Sequence, residues 1–308
     1  TAYEIVSRDW SSDVCSSDLD EAGVVLAGGM ESMTSAPFLA LGARQGYRLG
    51  DAQLADANLH DGLRDPWSHR VMYDQANEIS GGLGITREEL DAWALRSHQR
   101  AVEAQRSGRF APELTPVVIR ERKGERVVEQ DQGPREDSTL EALGKLPALT
   151  EGGTHTAGNS PGVTDGAAML IAMSEERAAA RGATPLATVL ASGVSADETN
   201  RLACAPAHAA QAALAKAGLS VDDVTRLEVN EAFASVALNT IAMLGIDPDR
   251  VNVQGGAIAM GHPVGASGAR LVGTLIHQLR REGGGIGLAT ICSGGGQGDA
   301  LLVEVPAA

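Results

Sequence analysis

The sequence predicts an α/β protein whose strands and helices alternate around a mostly parallel, helix-covered sheet. Three observations carry that expectation. From about residue 154 onward, short strand-like apolar runs alternate with helical stretches. Several of these runs end on glycine-rich loops, as α/β sheets do where a ligand approaches the backbone. The 308 residues include 37 Gly and only 3% aromatics, in an otherwise ordinary globular composition of 43% hydrophobic and 21% charged residues.

Taken in order, residues 22–29 (AGVVLAGG) predict a short buried strand ending in a glycine turn. The stretch to about residue 150 is polar and irregular, with one clear helix from Thr86 to about Ser107. Thr86 is its N-cap and Glu89, three residues on, completes a capping box. Trp93, Ala94, Ser97 and Ala101 share one face of this helix, and Gly108-Arg109-Phe110 ends it. Residues 114–119 (LTPVVI) predict a strand, and the charged run 120–138 a loop or hairpin. Next come a loop, an alternating stretch and a helix stopped by Gly182. Residues 185–196 predict a strand, 206–219 an alanine-rich helix, and 226–234 (RLEVNEAFA) a strand passing into a helix. Residues 250–280 predict strand, glycine-rich loop and a helix beginning near Ser267. The chain closes on two strand-like runs joined by a glycine loop.

The formal net charge of −15 argues against nucleic-acid and membrane-surface partners, which favour a basic face. It leaves room for an anionic small ligand, because local Arg or a helix N-terminus can still receive phosphate. No apolar run approaches the roughly 18 residues of a membrane span. The three cysteines, Cys15, Cys204 and Cys292, are odd in number and far apart, a poor disulfide framework that suits a reducing cytoplasm. No Cys or His pair has metal-ligand spacing, so no metal is expected.

Three residues stand out chemically. Cys292 ends the apolar run IGLATI and is followed by Ser293 and three glycines, where backbone N–H groups are free to meet an oxyanion. By itself it reads more readily as a buried structural Cys before a turn. His262 lies between Gly261 and Pro263, shortly before a helix whose N-terminal dipole favours an anion. The surrounding glycines do not match the G-x-G-x-x-G dinucleotide fingerprint, which weighs against a nucleotide-binding dehydrogenase. Asn230 stands where a strand gives way to a helix, either as an N-cap or as a donor to a substrate oxygen or a water.

Together, the order NEAF, GGAIAMGHPVGASG, CSGGG resembles the thiolase family, the coenzyme A-dependent acyltransferases that make or cleave 3-ketoacyl-CoA. AGGMESM (27–33), REELDAWALRSHQRA, GRF (108–110) and TAGNSPGVTDGAA (156–168) resemble the same family in the same order, from about residue 22 to the C-terminus. The resemblance implies a thiolase-like α/β fold: two βαβαβαββ halves in layers, with a loop domain inserted in the first. Residues 1–32 and 163–184 would be the incomplete first half, 33–162 the loop domain and 185–308 the second half. It implies acyl-CoA substrates, coenzyme A as substrate with no permanently bound cofactor, a homodimer or homotetramer, and cytoplasmic fatty acid metabolism. His262 would activate a nucleophilic Cys and help bind the thioester oxygen. Cys292 would be the acid/base, exchanging protons from a near-neutral pKa. Asn230 would hold a water completing an oxyanion site with His262, and Gly294 N–H would line a second, each donor being worth roughly 3 kcal/mol. Ala157, in the loop that would approach the pantetheine arm, and Phe233 complete the implied substrate-binding set; Pro161 replaces a common Ser there.

The nucleophile is where the match fails. The family's Cys belongs to a Cys-x-Ser-Gly turn opening a buried helix, where the helix dipole lowers thiol pKa. Cys15, in VCSSDL, is only 12 positions before Ala27, about half the family's spacing. Residues 4–19 carry the near-repeat SSDV/SSDL and neither helix nor strand periodicity, so residues 1–21 are expected to be foreign sequence replacing the first strands and helices. The expectation is a thiolase with little or no turnover; the alternative is a non-catalytic thiolase-like protein that binds acyl-CoA or lipid.

Overall fold

The computed structural model describes residues 23–198 and 200–307; Cys15 and its surroundings lie outside the described residues. In chain order the elements are β1 (Val24–Ser32), β2 (Phe38–Leu39), β3 (Ala55–Asp56), α1 (Met72–Gly82), α2 (Arg87–Arg106), the hairpin β4 (Val117–Glu121) and β5 (Gly124–Val128), and α3 (Leu140–Gly144). There follow β6 (Asp165–Met173), α4 (Glu175–Ala180), β7 (Thr188–Ala196), α5 (Ala205–Ala217), β8 (Val224–Val229), α6 (Ala234–Leu244), α7 (Ala257–Met260), α8 (Val264–Glu282), β9 (Gly285–Ser293) and β10 (Gln297–Val305).

Strand β1 runs straight through Gly28 and Gly29 rather than ending on them. The glycines serve close approach, not a turn. A Cβ on Gly29 would fall 2.1 Å from the Gly265 carbonyl oxygen, and one on Gly265 would fall 2.6 Å from that of Met30. β1 pairs antiparallel with β6, from Val24 opposite Met173 to Ser32 opposite Asp165, so the region between them is an excursion from one hairpin-like pair. Asp165 closes its base by accepting from the Thr34 backbone N–H at 3.0 Å.

The second sheet has the order β7-β10-β9-β8. Only the β8–β9 pair is parallel, which corrects the expected mostly parallel sheet. The reason is connection length. Residues 294–296 are too few for a crossover, so β9 and β10 form an antiparallel hairpin, and β7 joins the far edge of β10 antiparallel.

Helix α8 lies between the two sheets, touching β1 and β6 on one side and β8, β9 and β10 on the other. Its Leu271, Val272, Leu275 and Leu279 pack with Ala289, Val303 and Val305, while Leu170 of β6 joins from the opposite sheet. On the far face of the four-stranded sheet, α5 and α6 form the next layer, and α2 packs outside α6 and α7. Gly193 of β7 lets α5 settle closely: a Cβ there would meet the Ala209 carbonyl oxygen at 2.0 Å. No helix among the described residues is long and apolar enough to cross a membrane.

Thr86 caps α2 with the full capping box predicted from Glu89, and Leu90, Trp93, Ala94, Ser97 and Ala101 are buried along it. Two elements differ from expectation. Helix α1 was not legible in its polar sequence. Residues 251–255 form isolated bridges in place of a strand, because Asn252 adopts a left-handed φ of 44°. Its side chain substitutes for strand pairing, with Oδ1 accepting from Val229 N and Nδ2 donating to Val229 O, both at 2.9 Å.

Leu275 is fully buried between the sheets. Leu275→Ala is expected to lower stability by about 2–5 kcal/mol, a cavity cost measurable by urea unfolding.

Candidate functional site

Strand β8 ends at Val229, but its pairing continues one residue further: Asn230 N–H donates to Thr290 O at 2.9 Å. That bond places Asn230 beside β9 two residues before Cys292. Asn230 is not an N-cap. Phe233 occupies the N-cap of α6, in extended conformation and without a side-chain cap. The fully buried Asn230 side chain instead donates from Nδ2 to His262 Nε2 at 3.1 Å.

His262 is aimed by its own loop. Gly261, with φ 97°, fits against Thr164, whose side chain a Cβ would approach to 2.4 Å. His262 N–H donates to Thr164 Oγ1 at 3.3 Å. Helix α8 begins at Val264, three residues earlier than the sequence suggests, because Pro263 already holds a helix-compatible φ of −68° at the N-cap. Ser267 is thereby drawn into the first turn, where its hydroxyl donates to Pro263 O at 3.0 Å. That hydroxyl proton is spent, so the 2.6 Å contact between Ser267 Oγ and His262 Nδ1 requires Nδ1 to donate. Nε2 is left with a lone pair, shared with Asn230. Desolvation, with the Arg270 charge second, lowers the imidazole pKa to about 4 although part of the residue still reaches solvent. His262 is a neutral base at pH 7.

Cys292 is the next-to-last residue of β9, opposite Gly298 of β10, and packs on the main core. Burial pushes its thiol up to about 12, which corrects the near-neutral value expected from the sequence. A glycine-rich turn supplies no cation and no helix N-terminus to stabilise a thiolate. No hydrogen bond joins Cys292 to His262; the two are brought to the same ends of β8 and β9 by different elements. The turn beyond Cys292 is covered by the loop region. A Cβ on Gly294 would meet Met72 Cε at 2.7 Å, and one on Gly295 would meet Trp67 Cζ3 at 2.9 Å.

The remaining sequence candidates are spread out. Ala157 is exposed at the tip of its loop. That loop is anchored by Asn159, which donates to Asp91 Oδ1 at 2.8 Å and accepts from Ala234 N–H through its carbonyl at 3.1 Å. Phe233 is buried in the core, edge-on to His155 at 5.3 Å between ring centroids. Among the described residues no cluster of His, Cys, Asp and Glu has the makings of a metal site.

Two model matches cover most of the chain: the thiolase N-terminal domain over residues 15–176 and the thiolase C-terminal domain over 183–305. The chain belongs to the thiolase family. The acetyl-CoA acetyltransferase of Chromobacterium violaceum is 44% identical over 288 residues, which are 93% of this chain and 74% of that protein. The Escherichia coli acetyl-CoA acetyltransferase is 46% identical over 286 residues, 92% of this chain and 73% of its own length. Among solved structures, the Bacillus anthracis acetyl-CoA acetyltransferase superposes with a TM-score of 0.92 at 39% identity, covering 96% of this chain and 75% of that one. Human mitochondrial 3-ketoacyl-CoA thiolase gives 0.90 at 39% identity, over 97% and 75%. The architecture described above is thus the thiolase fold.

Sequence reasoning on this thiolase missed Glu231. Fully buried, it accepts four hydrogen bonds: from Trp93 Nε1 (3.0 Å), Ser97 Oγ (2.7 Å), Asn252 Nδ2 (2.9 Å) and Ile258 N (3.0 Å). Gly256 makes the space, since a Cβ there would fall 2.3 Å from the carboxylate carbon. Glu231 therefore ties α2 to the strand end carrying Asn230 and to the loop carrying His262. The available signal was a carboxylate inside an otherwise apolar strand–helix junction, where an unpaired charge is too costly to be incidental.

Glu231→Ala would leave the buried Trp93, Ser97 and Ile258 donors and one Asn252 Nδ2 hydrogen without their acceptor and should cost about 3–5 kcal/mol in urea unfolding. The His262 imidazole signals should keep their neutral NMR shifts from pH 7 downward and titrate only near pH 4. Its folded pKa lies below the unfolded value near 6.5. The stability it contributes is therefore present above pH 6.5 and lost as pH falls toward 4.

Proposed function

We propose that this chain is organised for acyl transfer on coenzyme A thioesters, Claisen condensation or thiolytic cleavage of 3-ketoacyl-CoA, through a cysteine acyl-enzyme. The observation that carries this reading is the Asn230–His262 contact with a neutral, Nδ1-protonated imidazole beside the strand end that bears Cys292. In cleavage, His262 Nε2 takes the proton of a nucleophilic thiol, whose sulfur attacks the 3-keto carbon. The resulting Nε2–H and a water held by Asn230 stabilise the oxyanion. Cleavage of the Cα–Cβ bond releases a carbanion equivalent α to the remaining thioester. Cys292, a neutral thiol at rest, protonates it to give acetyl-CoA, with Gly294 N–H on the thioester oxygen. Coenzyme A then takes the acyl group from the enzyme. Ala157 and Phe233 border the substrate path, and no permanently bound cofactor is called for.

The nucleophile is not Cys204, which is buried at the N-terminus of α5. Cys15 is the other candidate, and its spacing from β1 speaks against it. The same reading carries a homodimer or homotetramer in the cytoplasm, serving fatty acid metabolism. The division into 1–32 with 163–184, 33–162 and 185–308 is supported by the β1–β6 pairing across the insertion.

Thiolysis of acetoacetyl-CoA by the purified chain tests the reading. Whatever turnover exists should fall roughly 10²–10⁴-fold in His262→Ala and in Cys292→Ala. Turnover indifferent to both substitutions sinks the assignment, and turnover abolished by Cys15→Ala would make Cys15 the nucleophile after all.

A further inference from the structure

Helix α8 has a second, polar face apart from its leucine stripe. Arg270, Thr274 and Gln278 recur along it at helical spacing, with Arg281 at its exposed end, and meet Glu228 of β8, Gln254 of the loop after α6, and Glu113 and Asp131 of the inserted region. Part of this polar set is paired directly. Thr274 Oγ1 donates to Glu113 Oε2 at 2.7 Å, Arg281 Nη2 to Gln254 Oε1 at 2.5 Å, and Gln278 Nε2 to Glu282 Oε1 at 3.1 Å. Arg270 Nη1 stands 3.7 Å from Glu228 Oε2, within ion-pair range but too far for a hydrogen bond.

What is left over is unusual. The acceptors Glu113 Oε1, Glu228 Oε1 and Oε2 and Gln278 Oε1, with the donors Arg270 Nη1 and Nη2 and Gln254 Nε2, are all buried and have no hydrogen-bond partner among the described residues. Glu228 is fully buried, and Gln254 and Gln278 nearly so. Buried polar groups in folded proteins are almost always satisfied, so this many strung along one helix face, from Arg270 to Gln278 two turns on, call for bridging partners.

We infer that this face of α8 lines an internal hydration site, in which a small water cluster bridges Glu113, Glu228, Gln254, Arg270 and Gln278. Its effect is to lock the inserted region onto the helix that follows His262. The ligand's chemistry follows from the donors and acceptors. A bare anion would leave four acceptor oxygens unmet and face two carboxyl groups. A bare cation would face the Arg270 guanidinium and two unmet donors on it. Water both donates and accepts. A buried water makes roughly three hydrogen bonds, so these atoms call for about two or three waters. Burial pushes the Glu228 carboxyl up to about 8, which near neutral pH adds one more donor and keeps the charge of the set near balance. Glu228 lies two residues before Asn230 on the same strand face, and the Arg270 charge is felt at the His262 ring. The cluster thus sits behind both members of the catalytic pair.

A high-resolution crystal structure of the full chain tests this, with parallel crystals soaked in bromide and in rubidium and read for anomalous scattering. The expected result is ordered water within hydrogen-bond distance of Arg270, Glu228 and Gln278, and no anomalous peak. Bromide or rubidium at that position would overturn the inference, as would Arg270 and Glu228 closing directly on one another with no water between. In solution, oxygen-17 relaxation dispersion should show long-lived internal water that Glu228→Gln retains and the double variant Glu228→Leu/Arg270→Leu loses. Where the double variant fails to fold, Gln278→Leu should reduce the same signal; an unchanged signal in a folded variant counts against the site. None of these readouts depends on acyl transfer, so the two conclusions fail separately.

Discussion

One buried carboxylate ties the strand end that carries Asn230 to the loop that carries His262. Among the described residues Glu231 makes no salt bridge, yet it is held by an indole, a hydroxyl, an amide and a backbone N–H from three different segments. Directional acceptance of this kind specifies geometry in a way apolar packing does not, because each donor must arrive along its own line. Helix α2 fixes two of those donors and also reaches past them: Arg96 stacks over Trp93 at 4.2 Å and donates to Val251 O, while Arg100 donates to the same carbonyl and pairs with Asp249. The chain between α6 and α8, otherwise free to wander, is clamped from outside by the inserted region.

The electrostatic character of the site follows from the same burial. Desolvation acts oppositely on the two titratable groups: it strips the proton from His262 and keeps one on Cys292. The resting site is therefore uncharged at both positions, a base and an acid poised without an ion pair between them. A substrate that brings its own thiol and its own developing oxyanion supplies the charge, and the protein supplies oriented dipoles to meet it.

Much of this was legible in advance where a local signal sufficed. The Thr86–Glu89 capping box and the apolar spacing along α2 are short-range chemistry and appear as predicted. The same holds for α5, stopped by the left-handed Gly218, and for the two closing strands and their glycine turn, although not for their antiparallel pairing. Asn230, His262 and Cys292 were singled out because unusual residues stand at strand ends beside glycines. The failures share a physical cause. Gly29 reads as a turn residue, and only the approach of Gly265 from over 200 residues away shows why a side chain is excluded there. Asn252 reads as a strand residue until its amide is seen replacing the backbone pairing of Val229. Glu231 reads as a polar neighbour of Asn230 until its donors assemble around it.

The sequence by itself determined the family and the order of elements, and it singled out Asn230, His262 and Cys292 as candidates, because caps, periodicity and motif order are encoded within a few turns of chain. Tertiary structure alone decided which nitrogen of His262 bears the proton, that the Cys292 thiol stays neutral, and that α8 hides a polar face between the inserted region and the C-terminal half. Those properties belong to groups contributed by distant segments, and their magnitude is set by how completely water is excluded once the layers close.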